Sequence, residues 1–308
     1  MKHIFIVNPT AGIKNSFSDI EKKLKERENF DYELYVTKSK GDATKYVSQR
    51  CQSSDEDMVF YSCGGDGTLN EVASGMAGYD NAILAIYPSG SGNDYVKYYG
   101  DKKAFLDLDN LINGKETRID LIKVGDRYAV NACHFGLDSA VAKKMNQVKS
   151  KKIIGGRNAY NTGVLYALFT ALKTKCKVIG DGQPLNDDKI LICTCVNGKY
   201  VGGSYKCAPR SINNDGYMEV CCIKPISLFK FLKFLKLYKS GEYLDKQELS
   251  SCFTYKRCKK VEIIGGQKNF IISLDGEVVA GDSFEVNIIK DALRFIVPRS
   301  LCEDAENN

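Results

Sequence analysis

The chain opens on an unbroken apolar run, Ile4, Phe5, Ile6 and Val7, the pattern of a strand covered on both faces. It stops at Asn8-Pro9-Thr10-Ala11-Gly12, whose proline and glycine require a loop. A charged helix is expected from Ser18, with the Ser18 hydroxyl as its cap and Glu21 three residues on. Next come a strand over 32–37 and a helix from Asp42 that keeps Ala43, Tyr46, Val47 and Cys51 on one face. A strand over 58–63, a helix over 69–77 and a strand over 82–87 complete the first third. Strands alternating with helices at this spacing predict a parallel sheet covered by helices. After about Asp120 the texture changes to short strands at 191–196, 218–223, 261–264, 270–274 and 284–289, parted by glycine turns, as in an antiparallel β-rich domain. Helical stretches at 162–175 and 228–239 interrupt it. In the second, Phe231, Phe234, Leu235 and Tyr238 fall on one side and Lys230, Lys233 and Lys236 mainly on the other. Such a helix either packs on the sheet or lies in an anionic membrane interface. The basic run 149–152 is a solvated face or a similar contact, and the acidic tail 303–308 is expected to be disordered.

A length of 308 residues argues for two domains. The boundaries expected are 1–120 and 121–285, with 286–302 a candidate to return to the first. The 44 Lys and Arg against 38 Asp and Glu leave a net charge of +6. That surplus suits nucleotides or acidic lipid surfaces and is not the concentrated basic stripe of a nucleic-acid reader. Twelve cysteines suggest metal or disulfides, yet there is no Cys-x-x-Cys pair and only two histidines could complete a zinc site. With no apolar leader after Met1, reduced thiols in a cytoplasm are expected. The apolar stretches fall short of a membrane span.

Ligands of open α/β sheets bind beyond the carboxyl ends of the strands, where helix N-termini and free N–H groups face outward. Gly64-Gly65-Asp66-Gly67-Thr68 lies at such an end. Its glycines let the backbone approach a phosphate chain, and Thr68 adds a hydroxyl. Asp66 would repel a polyphosphate unless a divalent cation lay between them, which points to Mg²⁺; the same residues also suit a tight turn with a capping aspartate. Pro88-Ser89-Gly90-Ser91-Gly92-Asn93-Asp94 repeats the logic one strand later, with Ser91 as a donor and Asn93 and Asp94 as further polar groups or as a helix cap. The loop from Asn8 to Gly12 is a third donor set. Neither Gly-x-x-x-x-Gly-Lys-Ser/Thr nor Gly-x-Gly-x-x-Gly after the first strand is present, which argues against a P-loop and a Rossmann site. Late in the chain, Leu274-Asp275-Gly276-Glu277 sets two acids around a glycine. Their repulsion is expected to raise one pKa and produce an acceptor for a hydroxyl proton. Asp-Gly is equally the commonest type I′ hairpin pair.

Taken in order, Asn8-Pro9-x-x-Gly12, the run from Gly64 through Thr68 to Leu69-Asn70-Glu71-Val72, and Pro88-x-Gly90-x-Gly92-Asn93-Asp94 resemble the diacylglycerol-kinase catalytic domain. Asn131 with Gly136, Asn197-Gly198, Gly202-Gly203, Asp215-Gly216-Tyr217 and Asp275-Gly276-Glu277 extend the likeness to soluble bacterial lipid kinases over nearly the whole chain. The glycine-aspartate element alone is shared with NAD kinases; the order of several motifs is specific. The resemblance implies an α/β nucleotide-binding domain plus a β-sandwich, with ATP in the cleft. It implies ATP contacts from Asn8, Pro9, Thr10, Ala11, Gly12, Thr37, Gly64, Gly65, Asp66, Gly67, Thr68, Leu69, Asn70 and Ser91. Glu277 would accept the proton, with Asp275 beside it. A structural Mg²⁺ would sit on Asp215 and the carbonyls of Ile212 and Tyr217. Two departures stand out: Ser91 where threonine is usual, and Asn214 where a second aspartate is usual. The activity implied is phosphorylation of a lipid hydroxyl, diacylglycerol to phosphatidic acid, by a cytoplasmic enzyme in peripheral contact with a membrane; the family's bacterial members make a homodimer plausible. The rivals are an NAD kinase and a nucleotide-binding regulator without turnover.

Overall fold

The computed structural model describes residues 1–11, 16–136 and 173–306. Gly12, the basic run 149–152 and most of the helix expected over 162–175 lie outside them. The apolar runs form the centre of a parallel sheet. Strands β1 (Lys2–Val7), β2 (Tyr32–Val36), β3 (Met58–Gly64) and β4 (Ala82–Pro88) pair in the order β2-β1-β3-β4, all parallel. Helices α1 (Ser16–Lys25), α2 (Asp42–Gln52) and α3 (Asp66–Met76) are the crossovers. Every residue of β3 and β4 is buried, which is why those runs carry no polar alternation. Two helix starts differ from expectation. Ser18 lies inside α1, and α3 begins at Asp66, so the glycine-aspartate motif itself forms the first helical turn.

The sheet does not stop at β4. After a short helix α4 (Leu108–Ile112) come β5 (Lys115–Val124) and its hairpin partner β6 (Arg127–Ala129). The long strand β17 (Ser283–Val297) runs parallel to β4 and antiparallel to β5. It also pairs with β14 (Lys260–Gly265), which pairs with β8 (Thr174–Gly180). The short strands β9 (Gln183–Pro184) and β10 (Lys189–Ile190) finish that edge. Thr174 and Lys175, expected as helix, are therefore strand. A second sheet among the described residues is wholly antiparallel. Its order is β13 (Phe253–Cys258), β12 (Met218–Ile223), β11 (Ile192–Val196), β7 (Ala132–Gly136), β15 (Phe270–Leu274) and β16 (Glu277–Gly281). Phe135, Cys193, Val220 and Ile272 from this sheet pack on Val178, Ile263 and Val286 from the first and close a β-sandwich.

The outer face of the second sheet is covered as well. Helix α5 (Leu228–Ser240) lays Phe231, Phe234 and Tyr238 on Cys221 and Ile223, and leaves Lys230, Lys233 and Lys236 in solvent. Its apolar face is thus core. Residues 303–306 of the tail expected to be disordered instead continue a helix, α6 (Arg299–Glu306); 307 and 308 lie outside the described residues. All twelve cysteines are free, and all but Cys302 are buried. Among the described residues no helix is long and apolar enough to cross a membrane.

Candidate active site

Parallel pairing puts the carboxyl ends of β1 to β4 on one edge, and the loops there are tied to one another. The Asn8 amide donates to Thr68 Oγ1 at 3.1 Å, while its Oδ1 accepts from the Thr10 backbone at 3.0 Å and the Thr10 hydroxyl at 2.8 Å. The Gly64 carbonyl accepts from the N–H groups of Ser89 at 2.9 Å and Gly90 at 3.1 Å. The two glycine loops therefore touch backbone to backbone. Helix α3 starts here on Gly65 without a side-chain cap, so its first-turn N–H groups are open to an anion.

Not every polar residue of these loops faces outward. Asp66 accepts from the Asp94 backbone N–H at 2.6 Å, and burial together with the nearby Asp94 charge raises its pKa. Asn93 is buried, sits at φ 49° and donates to the Gly90 carbonyl, so it shapes the turn. Asp94 is buried too; it accepts from Lys97 Nζ at 2.6 Å and from the Gly203 N–H at 2.9 Å. Leu69 and Asn70 are inside α3 and buried. These side chains support the loops from behind.

Across from the loops stands the hairpin between β15 and β16. Asp275 at φ 46° and Gly276 at φ 90° make the two-residue turn, both left-handed, as a type I′ turn requires. The hairpin alternative and the acid pair are thus the same object. Asp275 Oδ2 accepts from the N–H groups of Val130 at 2.7 Å and Asn131 at 3.1 Å, and Oδ1 from Ala132 at 2.8 Å. Burial pushes its carboxyl up to about 7, against those three donors, and the Asp66 charge adds to the rise. Repulsion from Glu277 was the cause expected from sequence; burial is the cause found. With its oxygens taken, Asp275 is a bracket between the hairpin and segment 130–132. Glu277 instead keeps a carboxylate open to the cavity, where Lys40 Nζ lies 2.9 Å and an Arg127 nitrogen 3.7 Å from its two oxygens.

One cavity of about 500 Å³ joins all of this. Asn8, Pro9, Thr10, Ala11, Thr37, Gly65, Gly67 and Thr68 line it from the α/β side, and Asp275, Gly276 and Glu277 from the sandwich. Gly64, Asp66, Leu69, Asn70, Ser91, Asn93 and Asp94 do not line it. Lys38, Ser39 and Lys40 line it as well, with no motif pointing to them, and so does Glu71, which belongs to the family-like run but carried no expected role. Glu71 accepts from the Gly41 N–H at 2.9 Å and so fixes the loop that carries Lys40.

The loop 212–217 lies apart from this cavity. Asp215 is ion-paired to Arg257, its Oδ1 accepts from the Tyr217 N–H at 3.0 Å, and the guanidinium stands 4.7 Å from the Tyr217 ring centre. Asp120, buried behind the loop, gives one oxygen to the Gly216 N–H and the other to the Asp291 N–H. With Asn214 uncharged and Arg257 on Asp215, the donor set expected for a structural Mg²⁺ offers no free carboxylate. Among the described residues no three His, Cys, Asp or Glu side chains gather closely enough to hold a metal alone. Asp66 differs: one of its oxygens accepts from the Asp94 N–H, no cation among the described residues is ion-paired with it, and it stands beside the Asp94 carboxylate, so the chemistry of this pair suits a divalent cation.

Comparisons with known proteins agree with this fold. The sequence family described as the diacylglycerol kinase catalytic domain matches residues 2–124, and the YegS C-terminal NAD kinase beta sandwich-like domain matches residues 131–297. A Bacillus subtilis protein named diacylglycerol kinase is 28% identical over 279 residues, 88% of each chain. A diacylglycerol kinase of Staphylococcus saprophyticus is 26% identical over 278 residues, 88% of this chain and 87% of its own. A crystal structure of a Bacillus anthracis diacylglycerol kinase superposes with a TM-score of 0.72 at 22% identity, covering 97% of this chain and 98% of that one, and shows the same fold. Both halves of the cavity wall come from matched segments, and the chain belongs to the diacylglycerol kinase catalytic-domain family of lipid kinases, in the form that carries the YegS-type β-sandwich.

Proposed function

We propose that this chain transfers the γ-phosphoryl group of ATP to the hydroxyl of a lipid, with diacylglycerol the first acceptor to test. The observation that carries this is the shared cavity: phosphate-type loops on one wall, Glu277 on the other. In this scheme the open N–H groups at the start of α3, with the hydroxyls of Thr10 and Thr68, hold the phosphates in place. Glu277 faces them and accepts the proton of the attacking hydroxyl. Asp66 stands behind these loops and outside the cavity lining, so a divalent cation brought with ATP would meet it through water and take its other ligands from phosphate; such an ion, when bound, supplies neutralisation of the phosphate charge. The lipid would be met at a bilayer surface by peripheral contact.

Two measurements follow. Incubation with γ-labelled ATP should place label in the organic extract when diacylglycerol micelles are present, and none on NAD⁺. Label on NAD⁺ with none on diacylglycerol or on other lipid alcohols would overturn the scheme in favour of the NAD kinase alternative. Gly90→Ala tests the phosphate loops. A Cβ there would stand 2.3 Å from Gly65 Cα, and neither backbone can yield without parting the loops. The strain is worth roughly 1–3 kcal/mol, and ATP affinity measured by calorimetry should fall at least tenfold; unchanged affinity would mean that ATP does not rely on this contact.

A further inference from the structure

The contact between Lys40 and Glu277 joins the two halves of the molecule across the cavity mouth, and no motif of the sequence accounts for it. Lys40 Nζ lies 2.9 Å from Glu277 Oε1, yet the lysine side chain is 75% exposed and the glutamate 29%. An ion pair so open to water adds little to stability. Its loop, by contrast, is held firmly. The Lys38 N–H donates to the Asp42 carboxylate at 2.8 Å, the Gly41 N–H to Glu71 at 2.9 Å, and the Asp42 N–H to the Ser39 carbonyl at 3.2 Å. A fixed loop with a free lysine tip is a device for delivering one positive charge to one place. Lys40 shares the cavity with Thr10, Thr68 and the start of α3, so a phosphate chain held there would end within the lysine's reach.

Resting on the kinase reading, we propose that Lys40 is a catalytic residue with two positions. In the empty site it occupies Glu277. When ATP binds, the terminal phosphate, which carries more charge than one carboxylate, takes the ammonium group away. Glu277 is then unpaired on that side only when a phosphoryl donor is present, and the lysine that left it stabilises the charge developing on the transferred group. Arg127, at 3.7 Å from the other carboxylate oxygen, stays behind to orient the glutamate. Competition of this kind makes a prediction about binding that needs no turnover. Lys40 can serve the phosphate fully only after it has been released from Glu277.

The test is a double-mutant cycle on ATP affinity, measured by calorimetry in the full chain with Mg²⁺ present. Lys40→Met should weaken ATP binding roughly 10- to 100-fold, the worth of one charge-assisted phosphate contact, and Lys40→Arg should restore most of it. Glu277→Gln should tighten binding roughly three- to fivefold by releasing the lysine. In Lys40→Met that gain should vanish, so the double variant binds as Lys40→Met alone. An equal gain from Glu277→Gln with and without the lysine would mean simple charge repulsion and overturn the two-position role, as would wild-type affinity in Lys40→Met. A wild-type chain that binds no ATP would instead overturn the nucleotide site itself. Since Lys40 is exposed, its variants should melt as the wild type does.

Discussion

Glu277→Gln should lower kcat for lipid phosphorylation roughly 10²- to 10⁴-fold, the range for a lost general base, while the protein melts at the wild-type temperature and still binds ATP. Gln matches Glu in shape, and the side chain sits at the first residue of β16 with only its head in the cavity, so nothing in the core changes. What is lost is the ability to take a proton. The loss belongs in kcat; the ATP KM should not rise, because Glu277 faces the phosphates across the cavity without holding them, and release of Lys40 should lower it a few-fold instead. Steady-state kinetics with diacylglycerol micelles, beside a thermal melt, separate the alternatives. Wild-type turnover in Glu277→Gln would remove the glutamate from the chemistry. A fall in kcat accompanied by a lower melting temperature would point to damage at the hairpin instead.

How much of this was legible beforehand depended on whether the signal was local. The loops after β1, β3 and β4 were readable because unbroken apolar runs end there at glycine and proline, a pattern only a buried parallel strand followed by a tight turn explains. Asn8, Gly65 and Thr68 were placed on the cavity for that reason. Direction within a loop was not readable. Asn93 and Asp94 have the residue types of a ligand site, yet they face inward to Gly90, Lys97 and Gly203, and only the tertiary packing decides that. Lys40 lies in a run of small and charged residues that looks like any solvated turn; its importance comes from Glu277, far along the chain. The length of β17 was hidden for another reason. The charged pair Lys290-Asp291 looks like the end of a strand, but Asp291 adopts φ 52° at a register shift whose N–H is held by Asp120, and pairing with β5 resumes at Leu293. That continuation makes β17 the spine shared by both halves, and it aligns the hairpin with the phosphate loops.

Asp275→Ala should show the opposite signature to Glu277→Gln, with stability and turnover falling together. Three backbone N–H groups, from the buried residues Val130, Asn131 and Ala132, lose their acceptor. Each orphaned donor costs on the order of 1–3 kcal/mol, so several kcal/mol in total. Segment 130–132 then loosens from the hairpin, and a shift of about 1 Å in Glu277 is enough to cost on the order of 10²-fold in rate. Asp275→Asn keeps one carbonyl oxygen in the cradle and should lose less of both. The pH dependence carries its own sign. Burial holds the Asp275 carboxyl at about 7, above its ordinary value of 3.8, so the folded protein favours the neutral form. The stability tied to this group is therefore fully present below about pH 4 and is lost as pH rises through 7, by up to ~4 kcal/mol at about 1.4 kcal/mol per unit. Asp275→Asn cannot ionise, so its deficit relative to wild type should shrink between pH 4 and 8 in denaturant melts. A deficit that stays level over that interval would mean that the three N–H donors outweigh burial and that Asp275 is ionised throughout. A variant with wild-type stability and no turnover would move Asp275 from bracket to chemistry.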